Sequence, residues 1–541
     1  YFFHSITRAS SVGLVLEASR EFPLPLAQRI LSAPEFDADK TPEQTQVISR
    51  IEQWISEKKQ SCVLLRADRG RGKSHCLGLL LKRLRDLGML DIRVTAPSKA
   101  HAGRLMTVAG AHKDFIAPDQ LILKKPAADL VIIDEAAMIP QSLLLQICDY
   151  YQTVIMATTT GGYEGTGHGF MLRFVERFTS NNLLQLSLEA PVRWCENDDL
   201  ENWINLNLIM PATPDSGSGT GQSLQLEWLK PETNQASYET MTQVYRLLSS
   251  SHYRTRPGDL RMLMENPDLR LLVAHEGGVL IGALLLNLEG GFDPELCREV
   301  FFGRRRPRGH LLAQMLTAQA GIENFACFRG LRILRIAVAE NSRRRGVATR
   351  MIQSAFDYAK ERHFDYLGAS FAMDPETLRF WHSNQFDPVH ISFASGKSSG
   401  EHSLAVLKSV STEVCPSLAL MGARMEQQVA GWLTRFLVTL DDRQVVSLLR
   451  YLQPQVLLDR LEISEVEAFA RGNKGFELCF SSLQKFVMRE ISRGNTDPDR
   501  LLIEKAVQNR DWNQVRNRVG SDGKKQLQTR LRQLVDELIK A

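Results

Sequence analysis

The stretch "SCVLLRADRGRGKSHCLGLLLKRLRD" (61–86) restricts the fold of this chain more than any other. Its apolar start is the continuous run of a strand covered on both faces, as parallel sheets require. Its end carries apolar residues at helical spacing. Between the two lie Gly70 and Gly72, which let the backbone turn sharply. The pattern G-x-x-x-x-G-K-[ST] is completed by Gly72, Lys73 and Ser74, with Ala67 in place of the first glycine. Backbone N–H groups and a helix N-terminus at such a loop attract phosphate.

The flanking sequence repeats the alternation of strand and helix. "TPEQTQVISRIEQWI" has Val47, Ile48, Ile51, Trp54 and Ile55 at helical spacing, with Thr41 and Pro42 as cap and first turn. "DIRVTAPS", "DLVIIDEAA" and "TVIMATTT" read as strands, with helices through Leu105 and over "PQSLLLQICDYY". This predicts a RecA-like parallel sheet with helices on both faces. Lys73 is expected to bridge the β- and γ-phosphates of ATP or GTP. Ser74 and Asp134 are expected to hold Mg²⁺, and Glu135 to orient the attacking water. "TAPS" (95–98) and "ATTTGGYEGTG" (157–167) stand where helicase motifs touch nucleic acid and sense the γ-phosphate. Gln44 stands where related ATPases read adenine, and Arg193 in "APVRW" where an arginine finger would act. One RecA-like unit is evident, so the expectation is local remodelling rather than long-range unwinding.

Residues 211–223, "PATPDSGSGTGQS", read as a linker, after which the pattern changes. A hairpin with its turn at 276–278 is followed by the strand "LRILRIAVAE", a helix, the strand "FDYLGASFA", a short helix "PETLRFWHSNQF" and two closing strands. This order resembles the GNAT acetyltransferase fold. "SRRRGVATR" matches R/Q-x-x-G-x-G/A through Arg343, Gly346 and Ala348, between a strand and a helix, where backbone N–H groups wrap a pyrophosphate. Ile336 and Val338 on the preceding strand would pair with the pantetheine arm, and the three arginines would reach the 3′-phosphate. Trp381 stands where many GNAT enzymes place a tyrosine acid, and an indole N–H cannot serve as one. His382, Glu376 and bound water are the remaining candidates.

The fold class expected is therefore α/β multidomain: a RecA-like P-loop parallel sheet, a GNAT-like α/β domain and a mostly helical C-terminal domain. The divisions are 1–40 (remainder of an N-terminal domain or linker), 41–210, 211–229 (linker), 230–410 and 411–541. The N-terminus lacks a signal-peptide pattern and reads as continuing from a longer protein. The 541 residues carry a formal charge of +4, which admits a nucleic-acid partner. Eight cysteines without a C-x-x-C pair predict reduced, buried thiols. No stretch approaches the ~20 apolar residues of a membrane span, so a cytoplasmic protein without a membrane partner is expected.

The pairing of these two loops, with "VTAPSKA", "IIDEAAMIP", "GYEGTGHGF", "PVRW", "HYRTRPGDLR", "RRRPRGHLLAQ" and "RIAVAENSRRRG", resembles the bacterial tRNA(Met) cytidine acetyltransferases, which make N4-acetylcytidine. The resemblance runs from about Pro42 to at least Val410. It implies ATP contacts from Gln44, Gly70, Arg71, Gly72, Lys73, Ser74, His75, Cys76, Leu77, Gly78, Leu79 and Arg193. It implies acetyl-CoA contacts from Ile336, Ala337, Val338, Arg343, Arg344, Arg345, Gly346, Val347, Ala348, Thr349 and Glu376. The implied partner is tRNA, by resemblance elongator tRNA-Met at its wobble cytidine, with no obligate protein partner evident. Basic segments at Arg304, Arg305, Arg306 and Arg308, and from Lys524 and Lys525 to Lys540, are the expected RNA surfaces. Two departures stand out: Ser383 replaces an arginine of some members, and His310 replaces an asparagine. A protein lysine acetyltransferase, and an RNA-remodelling ATPase with an inactive GNAT domain, are the alternatives.

Overall fold

The computed structural model describes residues 40–57, 61–88, 91–159, 182–196, 198–204, 223–229, 235–250, 263, 266–396, 401–494, 498–519 and 523–540. The N-terminal segment before Lys40, most of the 157–167 motif, the 211–222 linker and "HYRTRPGDLR" lie outside them.

A capping box starts the helix Pro42–Glu57. Thr41 Oγ1 accepts Gln44 N–H, and Gln44 Oε1 accepts Thr41 N–H, both at 3.0 Å. Among the described residues five strands follow: β1 (Ser61–Ala67), β2 (Ile92–Thr95), β3 (Leu130–Ile133), β4 (Thr153–Thr159) and β5 (Leu183–Leu188). They form one parallel sheet in the order β2-β3-β4-β1-β5. Alternate residues of β1 face two cores. Val63 and Leu65 meet the helices Pro42–Glu57, Lys73–Asp86 and Gly103–Ala109; Cys62 and Leu64 meet Pro118–Lys124 and Gln141–Tyr150. Burial on both faces explains the unbroken apolar run. β5, which the sequence pattern did not announce, is a half-covered edge strand.

The second sheet contains β6 (Gln225–Leu229), β7 (Leu269–Glu276), β8 (Val279–Gly290), β9 (Arg329–Val338), β10 (Tyr366–Ala372), β11 (Asp387–Ser395) and β12 (His402–Ser409). The order is β11-β12-β10-β9-β8-β7-β6, antiparallel except for β9 with β10. The helix Val347–Glu361 covers one face; Gln235–Ser250 and Leu311–Ala318 cover the other.

Register decides what this sheet can do. Leu285 pairs with Arg335 but Leu286 with Ile333, so Leu334 is an unmatched bulge residue of β9. β10 pairs with β9 only over 330–333, and its residues 370–372 continue with β12 alone. Beyond the bulge, β9 and β10 part, and each has an edge free of the other.

Among the described residues six helices follow: Cys415–Arg435, Asp442–Leu452, Arg460–Arg471, Phe476–Arg493, Trp512–Val519 and Lys524–Lys540, with a π-helical turn at Leu502–Val507. Their buried Val429, Leu449, Leu483 and Leu531 share one core with Leu284, Leu367 and Trp381 of the second sheet's surroundings. Gln444 Nε2 ties the two parts together, donating to Met373 O at 2.7 Å and Glu401 Oε2 at 2.9 Å. No described helix is long and apolar enough to cross a membrane. No disulfide joins the cysteines; five are buried as expected, but Cys195 and Cys327 are half-buried and Cys415 is exposed.

Two phosphate loops as candidate active sites

The first loop is clasped from both sides. Gly70 and Gly72 have φ of +80° and +76°, in the left-handed region that favours glycine. A Cβ on Gly70 would lie 2.6 Å from the Trp194 ring, and one on Gly72 2.5 Å from Gln44 Nε2. Val192 N–H donates to Gly70 O at 2.8 Å, and Gln44 Nε2 to Gly72 O at 3.3 Å. Gln44 is thus buried behind the loop with both ends of its amide engaged. Arg71 pairs with Glu201 at 2.6 Å, and Glu201 also accepts Trp194 Nε1. Arg193 is exposed between two residues that touch the loop.

Lys73 opens the helix Lys73–Asp86 from the end of this loop. Its Nζ lies 2.7 Å from Glu135 Oε1 and 2.6 Å from Thr159 Oγ1; that hydroxyl donates to Glu135 Oε2 at 3.0 Å. Glu135 holds φ +50°, a costly backbone for a non-glycine, at the turn leaving β3. Ser74 is half-buried, and His75 Nδ1 lies 3.4 Å from Arg104. Cys76, Leu77 and Gly78 face the core, and Leu79 packs against it. Gly78 lies against the helix Gly103–Ala109, where a Cβ would come 2.7 Å from Val108.

Asp134 is fully buried at the end of β3. Its Oδ1 accepts Glu135 N–H at 3.0 Å, while buried Oδ2 has no hydrogen-bond donor among the described residues. Burial pushes the carboxyl up to about 6; the Ser74 hydroxyl and Lys73 oppose the rise and Glu135 adds to it. An orphaned carboxylate oxygen beside a hydroxyl suits a hard divalent cation whose other ligands are water and substrate phosphates. Between the ordinary carboxylate range and about pH 6, the folded chain holds a proton that the unfolded chain releases. Stability therefore falls as pH rises through that window, and the penalty persists above it. Asp134→Asn is expected to raise the metal-free unfolding temperature at pH 8 more than at pH 5. The gain is on the order of a few kcal/mol, with Mg²⁺-dependent hydrolysis lost. Thermal scans at the two pH values check it; an equal shift at both would refute the buried charge.

The second loop lies where β9 runs out. The β9 edge carrying Ile336, Ala337 and Val338 pairs with β8 on one side and is clear of β10 on the other. Arg344 (φ +60°) and Gly346 (φ +78°) then turn the chain into the helix Val347–Glu361, with Gly346 as its N-cap. Arg343, Arg344, Gly346 and Thr349 are exposed, Ala348 is half-buried, and Val347 fixes the helix in the core. Arg345 is held otherwise than its neighbours: it forks onto buried Glu276 at 2.7 and 3.0 Å, tying the loop to the end of β7. Arg343 Nε donates to Val338 O at 3.3 Å. Glu376 is exposed in the first turn of the helix Pro375–Ser383. Trp381 is buried among Phe371, Phe380 and Phe386, which removes it from acid–base work. His382 is exposed, its ring 4.6 Å from that of Tyr451.

The two basic surfaces differ. Arg304, Arg305, Arg306 and Arg308 are all exposed, although Arg304 is paired with Glu299 at 2.9 Å. His310 caps the segment: its Nδ1 accepts Gly290 N–H at 3.1 Å and its ring meets Phe292 edge-on. In the terminal helix, Leu527, Leu531 and Val535 dock into the core, while Arg530 and Arg532 bind Asp499 and the carbonyls of Phe469, Gly472 and Lys474. Lys524 lies 3.9 Å from Glu477, and Lys525 is exposed. Much of the tail's charge is therefore used within the protein. Thr159 and Trp194 fall within the 157–167 and "PVRW" motifs, whereas Glu201 and Glu276 carry no signal in the sequence, because each meets its loop across a long stretch of chain.

Fold and site together define a chain that joins a helicase-type P-loop sheet to a GNAT-type sheet. The model for "RNA cytidine acetyltransferase NAT10/TcmA, helicase domain" matches residues 64–211, and "GNAT acetyltransferase 2" matches 243–363 and 356–411. The chain belongs to the tRNA(Met) cytidine acetyltransferase family. It is 33% identical to the tRNA(Met) cytidine acetyltransferase TmcA of Nitrosococcus halophilus, covering 94% of this chain and 72% of that one. It is 33% identical to the Pectobacterium atrosepticum protein of that name (83% and 66%) and 30% identical to that of Vibrio cholerae (91% and 71%).

Proposed function

We propose that this protein transfers the acetyl group of acetyl-CoA to N4 of a cytidine in tRNA, with ATP hydrolysis remodelling the RNA to present the base. The observation that carries the reading is the parting of β9 from β10 directly before the Gly346 loop. It leaves a strand edge for an amide-bearing arm and a helix N-terminus for its pyrophosphate. Ile336, Ala337 and Val338 would align the thioester. A backbone N–H of the strand segment 335–338 would stabilise the oxyanion.

The cytidine N4 lone pair is delocalised into the ring, so positioning matters more than activation. N4 attacks the acetyl carbon, a C–N bond forms, the C–S bond breaks and coenzyme A leaves. The proton from nitrogen passes to the departing sulfur or to solvent. Acetyl transfer from a thioester to an amine runs downhill, so ATP has another task. A base stacked in an anticodon loop must be splayed out at a cost of a few kcal/mol. Lys73, Glu135 and Arg193 would act on the triphosphate. Mg²⁺, held by Ser74 and Asp134, would neutralise its charge.

The test uses unmodified tRNA, acetyl-CoA and Mg-ATP, with an ATP-free control, and mass spectrometry of the digested RNA. N4-acetylcytidine that depends on ATP is the expected result. Acetyl-lysine on a protein acceptor, without RNA dependence, would replace this reading with protein acetylation.

A further inference from the structure

Phe302 closes the helix Pro294–Phe301 and is 52% exposed. The local backbone holds it there. Its N–H donates to Arg298 O at 3.0 Å, and Gly303 (φ +73°) reverses the chain. Arg304 and Arg305 N–H groups then fold back onto Glu299 O at 2.9 and 3.3 Å. This sets two guanidiniums over the Phe302 ring: Arg304 at 5.0 Å and Arg298 at 5.8 Å from its centroid. Arg305, Arg306 and Arg308 extend the charge along the same turn, all exposed. The segment is anchored at its far end, where Asn287 Nδ2 donates to Gly309 O at 2.9 Å and buried Glu289 accepts the N–H groups of Leu312 and Ala313.

An exposed ring flanked by guanidiniums offers π-faces for stacking, and adjacent unburied arginines offer partners for phosphates. An unpaired nucleotide supplies both a base face and a phosphate; a duplex hides the first. We infer that Phe302, with Arg298 and Arg304, is a stacking platform for an unpaired base of the RNA substrate, and that Arg305, Arg306 and Arg308 hold the flanking phosphates. The inference rests on the RNA substrate proposed above and assigns the residue that grips it.

Binding of a labelled single-stranded oligoribonucleotide, a duplex of the same length and a tRNA transcript tests it, with Phe302→Leu and Phe302→Trp beside wild type. Phe302→Leu is expected to weaken single-strand and tRNA binding roughly tenfold to a hundredfold. Phe302→Trp retains them, and duplex binding changes little. Because the ring is exposed, an unaltered unfolding temperature checks the fold. Equal single-strand affinity for Leu and wild type overturns the platform, as does equal weakening for single strand and duplex. Formation of N4-acetylcytidine by wild type with the same KM for tRNA in Phe302→Leu would overturn the platform and leave the proposed function standing. Phe302-dependent single-strand binding without acetyl transfer would do the reverse.

Discussion

Lys73→Ala is expected to lower ATP turnover by about two to three orders of magnitude, the scale of losing one charge-stabilising group at a phosphoryl centre. Acetylation of tRNA should fall with it, while acetyl-CoA binds with the wild-type constant. The Lys73 ammonium is the cation nearest Glu135, at 2.7 Å, and Thr159 completes a closed triangle with the two. A triphosphate at the loop would compete with Glu135 for the ammonium and free the carboxylate to meet water. Alanine at the first turn of a helix is well tolerated, so the fold should survive. Measuring ATP hydrolysis, acetyl-CoA affinity and N4-acetylcytidine on one preparation separates the cases. Full acetylation by a variant that no longer hydrolyses ATP would sink the coupling of the two sites.

What the sequence disclosed was local. The P-loop, the apolar strands β1, β3 and β4 and the Gly346 turn are each contained in a short contiguous stretch, where glycine placement and periodicity carry the signal. The hairpin β7–β8 was legible for the same reason, with its turn at Gly277 and Gly278. What it did not disclose depends on partners distant along the chain. Glu201 reaches back to Arg71, Glu276 takes Arg345, and Glu289 caps a helix more than twenty residues downstream. No periodicity encodes such meetings. The arginine run at 343–345 is the clearest instance: three identical side chains in sequence all stay exposed, yet Arg345 alone forks onto Glu276 and ties the loop to β7. Likewise Cys76 and Leu77 follow directly on the loop motif yet their side chains belong to the core.

Gly346→Glu is expected to abolish acetyl-CoA binding, with a loss of at least about a hundredfold, and with it all acetyl transfer. Two effects act together, and a second variant separates them. The first is conformational: φ of +78° at the N-cap of Val347–Glu361 costs a residue with a Cβ about 1–2 kcal/mol. Gly346→Ala carries this cost alone, since a Cβ there meets nothing within 4 Å. It should lower the unfolding temperature by a few degrees and weaken acetyl-CoA less than about tenfold. The second effect is electrostatic. The open space before Gly346 is where the helix dipole and exposed N–H groups would draw a pyrophosphate, and a carboxylate placed there would occupy the position and repel the ligand. ATP hydrolysis should persist in Gly346→Glu, because the P-loop belongs to the other sheet and a separate core. Isothermal titration with acetyl-CoA beside an ATPase assay reads both sites. Loss of both activities, or an alanine variant as defective as the glutamate one, would mean that the loop's role is to hold the fold and not a phosphate.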